Sequence, residues 1–165
     1  LCILYELMRF FFFLFFLTPF FGYNQQPRKV LSVNETKRME IIWNSEKQLG
    51  KPYRSKVGNH IFDCSGYVRF LMSGIGKVVT RSSVSIINDG KRVMDIKDAR
   101  PGDILVFRGG NARNIRPGHV GLVHHWANDT LYFIHSSTSQ GIRYDHMYDP
   151  YYSKRFLQVR DVIGD

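Results

Sequence analysis

The sequence contains very little cysteine. Only Cys2 and Cys64 occur among its 165 residues, which argues against a disulfide framework and leaves Cys64 as a lone thiol. The short-spaced motifs that hold zinc, C-x-x-C and H-E-x-x-H, are missing as well. Hydrophobic residues make up 44% of the chain, which is enough for the core of one domain without cross-links.

Acidic residues are also scarce. The chain has 14 aspartates and glutamates against 23 lysines and arginines, so its formal net charge is +9. Such a charge favours an anionic partner, such as a carboxylate-rich polymer, a nucleic acid or a membrane surface. Because the basic residues are scattered and no nucleic-acid-binding motif occurs, we expect no nucleic-acid partner.

A long apolar run occurs near the N-terminus. From Met8, a single Arg9 precedes a stretch of phenylalanine and leucine that ends near Phe21. This pattern is typical of a secretory signal, and the stretch is shorter than the roughly 20 residues that span a bilayer. We therefore expect a signal segment over residues 1–26, with an over-extended start before Met8, and an exported domain over residues 27–165. The location is then periplasmic or extracellular, with membrane contact only through an uncleaved signal segment.

The hydrophobic periodicity changes once along the chain. In the first half it is close to 3.6, which predicts helices over residues 32–50, 64–76 and, more briefly, 82–90. After Arg100 it is close to 2, which predicts strands over residues 102–107, 119–126, 130–136, 141–145 and 155–163. Helices followed by an antiparallel run of strands indicate the α+β class.

The first two predicted helices have recognisable ends and faces. The first helix starts with a capping box formed by Ser32 and Glu35, and it ends at Gly50. Its mostly apolar stripe consists of Met39, Ile42, Trp43, Glu46 and Leu49. The second helix directs Val68, Leu71, Met72 and Ile75 inward. Because this second helix begins at Cys64, the lone thiol lies in its first turn.

The position of Cys64 allows two interpretations. At a helix N-terminus, the free N–H groups and the positive end of the dipole favour a thiolate, and the same N–H groups can bind an oxyanion. Gly66 relieves crowding close to that backbone. An inert buried cysteine is the commoner fate of a lone thiol, although the polar neighbours Asp63 and Ser65 fit burial poorly. The local sequence leaves both interpretations open.

A thiolate nucleophile needs a base, and the base needs a group that orients it. His119 opens one predicted strand and His135 closes the next, so an antiparallel hairpin brings both to the same end. An odd-length connection places them directly opposite on one face, whereas a two-residue turn at Asn128 and Asp129 places them on opposite faces. The pairing therefore predicts an odd loop or a bulge. The remaining histidines are interpreted as surface or packing residues: His60, His124, His125 and His146.

Zinc binding is the alternative use of these side chains. Cys64, His119 and His125 can supply three ligands, and the two histidines share a predicted strand face. The absence of a short-spaced ligand motif argues against this use. We therefore expect neither a metal nor another cofactor.

The motifs, taken in order, resemble a known family. The stretch "LGKPYRSKVGNHIFDCSGYVRF" is followed by "RSS", "RPGDILVF", "GHVGLV" and "FIHSSTSQGIRYD", as in the NlpC/P60 cysteine peptidases. The resemblance covers roughly residues 41–162, and it implies a papain-like fold with N-terminal helices packed on a central antiparallel sheet of about five strands. It also implies Cys64 as nucleophile, His119 as general base and acid, and His135 as the residue that orients His119.

The resemblance further implies a substrate and residues that bind it. The family's usual substrate is the stem peptide of bacterial peptidoglycan, cut after D-glutamate, and we expect a monomer to act on it. Five residues are expected to line the cleft: Tyr53, Asp63, Ser65, Arg81 and Ser83. In this interpretation Asp63 and the Tyr53 hydroxyl bind a free α-amine, and Arg81 meets a substrate carboxylate. The alternative is that Asp63 caps the helix and Arg81 is a surface charge.

Three other functions are weighed against this one. A CHAP-type amidase usually has an acidic or amide residue in the third position, where this chain has His135. A non-catalytic wall-binding protein has no need of the complete Cys64, His119 and His135 set. In the related permuted acyltransferases the histidine precedes the cysteine, whereas here Cys64 comes first.

Overall fold

The computed structural model describes residues 30–165. The predicted signal segment over residues 1–26 and Cys2 lie outside the described residues. Within residues 30–165, helices occur in four places: α1 (Val33–Glu46), α2 (Cys64–Gly74), α3 (Ser83–Ile86) and α4 (Pro150–Ser153). A 3-10 helix spans Ile96–Asp98. The strands are β1 (Lys56–Val57), β2 (His60–Ile61), β3 (Lys91–Val93), β4 (Ile104–Arg108), β5 (Pro117–Ala127), β6 (Thr130–Ser137), β7 (Gly141–His146) and β8 (Phe156–Asp161).

The main sheet has six antiparallel strands in the order β3-β8-β4-β5-β6-β7. The α+β class is therefore confirmed, and all five predicted strands are present. The sixth strand, β3, and the β1-β2 hairpin between α1 and α2 were not anticipated. Strands of two or three residues are too short to show an alternating pattern. Among the described residues, no helix is long and apolar enough to cross a membrane.

The capping box of α1 is confirmed, but its predicted apolar face is wrong. The side chains of Ser32 and Glu35 each accept a hydrogen bond from the other residue's backbone N–H. Met39 and Trp43, however, are 61% and 62% exposed. The buried residues of α1 are Arg38, Ile41 and Ser45. The pattern misled because the inner face of α1 is partly polar.

Arg38 explains the polar inner face of α1. Its guanidinium donates to Asp103 Oδ1 at 2.8 Å and to Asp161 Oδ1 at 2.9 Å. Asp103 is fully buried and Asp161 is 9% exposed. A second cation, Arg100, pairs with the other oxygen of Asp161 at 2.8 Å. These ion pairs tie α1 to the start of β4 and to the end of β8.

Apolar side chains form two cores, one on each face of the main sheet, because successive residues of a strand point to opposite faces. The first core joins α1, α2 and α3 to one set of strand residues, among them Ile104, Val106, Val120, Leu122 and Ile134. The inward residues predicted for α2 belong to it, and each is no more than 5% exposed. The second core contains the alternate residues Leu105, Phe107, Val123, Leu131 and Phe133. The central strands are therefore buried on both faces.

The β5-β6 hairpin has the bulge that the pairing of the two histidines required. Ala127 pairs with Thr130 across a two-residue turn, and both turn residues have positive φ angles, 47° and 58°. That turn alone places His119 and His135 on opposite faces. A register shift between Val123 and His125 restores the shared face.

The ion pairs of Arg38 lead to a stability prediction. We expect Arg38→Ala to lower the free energy of unfolding by about 3–5 kcal/mol, because the buried carboxylate of Asp103 then has no cation beside it. Urea denaturation followed by circular dichroism measures the loss. Arg92→Ala, on the exposed edge strand β3, is the control and should change stability by less than about 0.5 kcal/mol. Equal effects of the two substitutions contradict the prediction.

Candidate active site

Cys64 is the first residue of α2, at a point of very close backbone contact. The preceding residue, Asp63, caps the helix by accepting a hydrogen bond from Gly66 N–H at 2.7 Å. A side chain at Gly66 is excluded, because a Cβ atom there lies 1.9 Å from the carbonyl oxygen of Ile61. The predicted need for glycine at this position is therefore confirmed. The close contact packs the first turn of α2 against the β1-β2 hairpin.

The thiol of Cys64 is partly buried and lies near several backbone N–H groups. Those of Val120, Ser65 and Cys64 itself act to lower its pKa. Burial nevertheless raises the pKa of Cys64, and the nearby charge of Asp63 raises it further. The N–H groups at the helix N-terminus favour the thiolate, as expected, but desolvation outweighs them and the pKa lies above its ordinary value. The thiol is protonated at neutral pH, and it needs a base to act as a nucleophile.

His119 and His135 are directly hydrogen-bonded. His119 Nε2 and His135 Nδ1 lie 2.8 Å apart, with the two rings nearly perpendicular. Gly121 lies against His135, and a Cβ atom there would approach Phe133 to 2.8 Å. Rings of Phe133 and Tyr152 surround His135, which is only 1% exposed. The structure thus brings together the two histidines that the sequence paired.

A carboxylate that the sequence interpretation missed continues this chain. His135 Nε2 lies 2.7 Å from Asp145 Oδ2, and Tyr152 and Arg143 also donate to Asp145, at 2.9 and 2.7 Å. Burial acts to raise the pKa of Asp145, but the hydrogen bonds and charges of His135, Tyr152 and Arg143 lower it overall. The side chain of Asp145 is therefore ionised at neutral pH. Strand alternation is the sequence signal that could have identified Asp145. This residue lies on the same face as Arg143, the direct partner of His135, and therefore diagonally from His135.

The ionised carboxylate determines which ring nitrogens carry protons. Asp145 can only accept, so His135 donates from Nε2 and its Nδ1 accepts from His119 Nε2. The Nδ1 atom of His119 is then left with a lone pair. Burial, together with the neighbouring His135, lowers the pKa of His119 to about 3. At neutral pH His119 is therefore an uncharged base whose free nitrogen is Nδ1.

Cys64 and His119 are both close to the start of β5. His119 belongs to this strand, and the N–H of the next residue, Val120, lies near the sulfur of Cys64 and acts to lower its pKa. Val120 belongs to the core beneath α2, whereas the ring of His119 contacts Phe107 of the other core. The thiol therefore lies beside the backbone of β5, next to the residue that follows the base.

Two predicted cleft residues pair with each other in the structure. Arg81 donates to both oxygens of Asp63, at 2.5 and 3.0 Å, and to the hydroxyl of Ser65 at 2.8 Å. The hydrogen bonds of Arg81 lower the pKa of Asp63, against the effect of burial. Asp63 does cap α2, as the alternative interpretation had it. Its pairing with Arg81 leaves neither charge isolated, and Ser65 is buried between them.

The other two predicted cleft residues differ in their position. Tyr53 lies near the thiol, since burial and the charges of Cys64 and Asp63 raise its pKa. Arg54 beside it has a positive φ of 61°, a conformation that costs energy in a residue other than glycine. Ser83 is the first residue of α3, and Ser82, not Ser83, caps that helix. No hydrogen bond of the described residues joins the Ser83 side chain to Asp63 or Arg81.

The structure gives His125 a role other than zinc binding. Its ring stacks on Tyr132 with centroids 4.8 Å apart, and its Nδ1 lies 2.8 Å from that of His124. His124 in turn contacts Glu46 of α1 at 3.2 Å. Within residues 30–165, no group of three or more histidines, cysteines or acids is arranged to hold a metal ion.

Comparison with known proteins identifies the family. The NlpC/P60 family matches residues 50–161 of the sequence. The chain belongs to this family. One relative, named a probable endopeptidase of Haemophilus influenzae, is 36% identical over 129 residues, covering 75% of the chain and 76% of the relative. The Escherichia coli K12 protein named murein DD-endopeptidase MepS/murein LD-carboxypeptidase is 34% identical over 103 residues, covering 62% of the chain and 50% of that protein.

Solved structures of this family share the fold. NlpC2 from Trichomonas vaginalis superimposes with a TM-score of 0.66 at 25% identity, covering 81% of the chain and 49% of NlpC2. The P60 domain of a Mycobacterium avium subspecies paratuberculosis antigen gives 0.61 at 21% identity, covering 81% of the chain and all of that domain. The predicted NlpC/P60 fold is confirmed. As a member of this family of endopeptidases, the chain is an enzyme of the peptidase class.

The hydrogen-bonded chain predicts a role for Asp145. We expect Asp145→Asn to lower kcat on a stem peptide by at least about tenfold, because an amide holds the tautomer of His135 less firmly and does not stabilise an imidazolium. Steady-state kinetics measure the loss. Asp95→Asn, at the cap of the 3-10 helix, is the control and should leave kcat unchanged. A fully active Asp145→Asn enzyme contradicts the prediction.

The low pKa of His119 predicts how stability depends on pH. The unfolded chain protonates His119 near its ordinary value of 6.5, whereas the folded chain does so only near 3. The unfolded state therefore binds more protons in this range, and stability falls as the pH drops from about 6.5 towards 3. The free energy of unfolding, measured by urea denaturation at several pH values, should fall less steeply towards low pH in His119→Gln than in the unaltered protein. An unchanged slope contradicts the assigned pKa.

Proposed function

We propose that this protein is an exported cysteine endopeptidase that cuts stem peptides of bacterial peptidoglycan, with Cys64 as the nucleophile. One observation carries the proposal. The hydrogen bonds from Asp145 through His135 to His119 leave His119 Nδ1 free to accept a proton. This base immediately precedes Val120, whose N–H lies near the sulfur of Cys64. A thiol, a neutral base and a group that orients the base are the parts that nucleophilic catalysis requires.

The first half of the reaction forms an acyl-enzyme. As Cys64 Sγ attacks the carbonyl carbon, its proton passes to His119 Nδ1. The N–H of Cys64 holds the negative oxygen of the tetrahedral intermediate. The imidazolium of His119 then gives its proton to the leaving amine, the C–N bond breaks, and a thioester remains on Cys64.

The second half of the reaction releases the acyl product. A water molecule gives a proton to His119 Nδ1 and attacks the thioester carbonyl, and the proton then returns to the departing sulfur. In both halves His119 is positive for a short time inside a buried site. Asp145, acting through His135, supplies the opposite charge that makes this state accessible.

The residues around Cys64 suit the acyl portion of the substrate. The pair of Asp63 and Arg81 presents an acceptor and a donor within one small surface, and the Arg81 side chain is 47% exposed. We propose that a substrate amine competes for Asp63 and that a substrate carboxylate competes for Arg81. The hydroxyl of Tyr53 assists beside them. Ser65 supports the pair, and Ser83 borders the same region.

The position of the cut in the stem peptide has two candidates. The resemblance to the family favours the bond after D-glutamate, and a Bacillus licheniformis relative, 28% identical, is named a peptidoglycan DL-endopeptidase. The Escherichia coli relative, at 34% identity, carries the names DD-endopeptidase and LD-carboxypeptidase. We propose the bond after D-glutamate, with a DD-endopeptidase as the second candidate. Names of cell-wall enzymes among the relatives also support export.

The alternative functions have less support. A non-catalytic role in wall binding does not explain why the chain combines a thiol with two histidines and a carboxylate that are hydrogen-bonded in series. A CHAP-type amidase usually has an acidic or amide residue in the third position. Here that position is His135, and the carboxylate of Asp145 is one hydrogen bond further from His119. The peptidase proposal accounts for all four side chains.

Cleavage of purified muropeptides tests the proposal. The full chain should release fragments whose masses identify the bond, and Cys64→Ala should lower the rate by at least about a thousandfold. Mass spectrometry of the digest reads both results. Cleavage after D-glutamate and cleavage of D-alanyl cross-links give different masses, so the two candidates are separated. No cleavage by the intact protein, or full activity of Cys64→Ala, contradicts the proposal.

A further inference from the structure

An open pocket lies beside His119, and neither Asp63 nor Arg81 is among the residues that line it. Its volume is about 500 Å³, and its wall includes His119 and His135. The β6-β7 turn, residues 137–140, contributes three hydroxyl groups and an amide. Gly109 and Gly118 line the pocket without side chains that could narrow it. Their backbones are in close contact, since a Cβ atom at Gly118 would lie 2.5 Å from Gly109 Cα. The pocket is therefore polar and adjoins the catalytic base.

Two arginines in this pocket have no carboxylate partner among residues 30–165. Arg108 and Arg155 come from adjacent backbone segments, with Arg108 N–H donating to the carbonyl of Arg155 at 2.7 Å. Arg108 donates a side-chain hydrogen bond to the carbonyl of Ala112 at 2.7 Å. Arg155 donates to the carbonyls of Tyr151 and Gly110, at 3.0 and 3.1 Å. Neutral carbonyl groups hold both guanidinium groups in place, and that of Arg155 also lies over the Tyr151 ring at 3.8 Å. Neither positive charge is paired with a carboxylate of the described residues.

The remaining charges of the pocket are already engaged. Arg143 pairs with Asp145, which also accepts from His135. Asp149 uses one carboxylate oxygen to cap α4, by accepting from Tyr151 N–H at 2.7 Å. The Nε atoms of Arg108 and Arg155 are buried and have no hydrogen-bond partner. An anion in the pocket would meet two fixed cations that already lack a counter-charge.

The chemistry of the reaction decides which part of a substrate reaches this pocket. The group that protonates the leaving amine must be next to it, and that group is His119. The leaving portion of the peptide therefore starts at His119, and the pocket is the space beside that residue. Because this step uses His119 as the acid, the inference rests on the proposed function. We propose that Arg108 and Arg155 bind a carboxylate on the leaving portion of the substrate.

Arg108 and Arg155 also have a structural role, and the experiment must distinguish it from substrate binding. Both donate to carbonyls in the loop over residues 109–116, so they hold that loop in place. Loss of this support affects every substrate to the same degree. Loss of a binding site affects only substrates that carry the carboxylate. The distinction requires pairs of substrates that differ in charge alone.

The test compares stem peptides that differ only on the leaving side. One has both its side-chain and terminal carboxylates free, two have one of them as an amide, and one has both as amides. For the full chain, we expect Arg155→Met and Arg108→Met each to raise KM for the free substrate by about tenfold, the loss of one charge-assisted hydrogen bond. The doubly amidated substrate should show the same KM with variant and unaltered enzyme. The singly amidated pair shows which carboxylate is bound.

Two controls complete the kinetic test. Arg92→Met removes one charge from the distant edge strand β3 and should leave KM unchanged for all four substrates. Arg155→Lys keeps the charge without the planar fork and should recover part of the affinity. Equal losses on free and amidated substrates, or no loss in either arginine variant, overturn the proposal.

A binding measurement keeps this test independent of catalysis. Calorimetric titration of the Cys64→Ala protein with the free leaving-side dipeptide should give a Kd that Arg155→Met weakens about tenfold. The dipeptide with both carboxylates amidated should bind weakly to both proteins. If the intact protein cleaves nothing, the proposed function fails, and this titration still decides on the pocket. Equal affinity for the free and amidated dipeptides overturns the carboxylate site.

Discussion

The hydrogen bond between His135 and Asp145 is the constraint on which the site depends. An ionised carboxylate only accepts hydrogen bonds, so it fixes the tautomer of the histidine beside it. Here the hydrogen bond from His119 to His135 extends this effect to His119. The distant oxygen of Asp145 thus decides which nitrogen of His119 is free. Tyr152 and Arg143 keep the carboxylate ionised and in position. Without that carboxylate the two histidines have no reason to prefer the productive arrangement.

Burial gives the site its resting state. Desolvation raises the pKa of Cys64 and lowers that of His119, so the pair is neutral before the substrate arrives. In the proposed mechanism, charge develops only during the reaction, when the sulfur loses its proton to the imidazole. A buried carboxylate two steps away stabilises this transient charge more effectively than it does in water. The site therefore combines a low-charge ground state with prepared electrostatic support.

The sheet places these groups through its register. One extra residue in β5 compensates the two-residue turn of the β5-β6 hairpin, so that His119 and His135 share a face. Asp145 reaches that face by the same diagonal relation across β6 and β7. The closeness of Gly66 to Ile61 packs the start of α2, and with it Cys64, against the β1-β2 hairpin. The proposed catalytic arrangement thus depends on strand pairing and on one glycine contact, with Arg38 anchoring the first helix to the main sheet.

The sequence by itself determined the fold class, five of the six strands of the main sheet and the start of α2 at Cys64, and it predicted the pairing of two histidines on condition of an odd loop or a bulge. Each of these follows from local periodicity, capping chemistry or strand parity, which neighbouring residues specify. Only the tertiary structure decided that Arg38 is buried while Met39 and Trp43 are exposed, because its partners Asp103 and Asp161 are far along the chain. The position of Asp145, the raised pKa of the thiol and the arginine pocket likewise depend on burial and on contacts between separate segments. Apart from the strand alternation that relates Asp145 to His135, such contacts have no signature in the sequence of either partner alone.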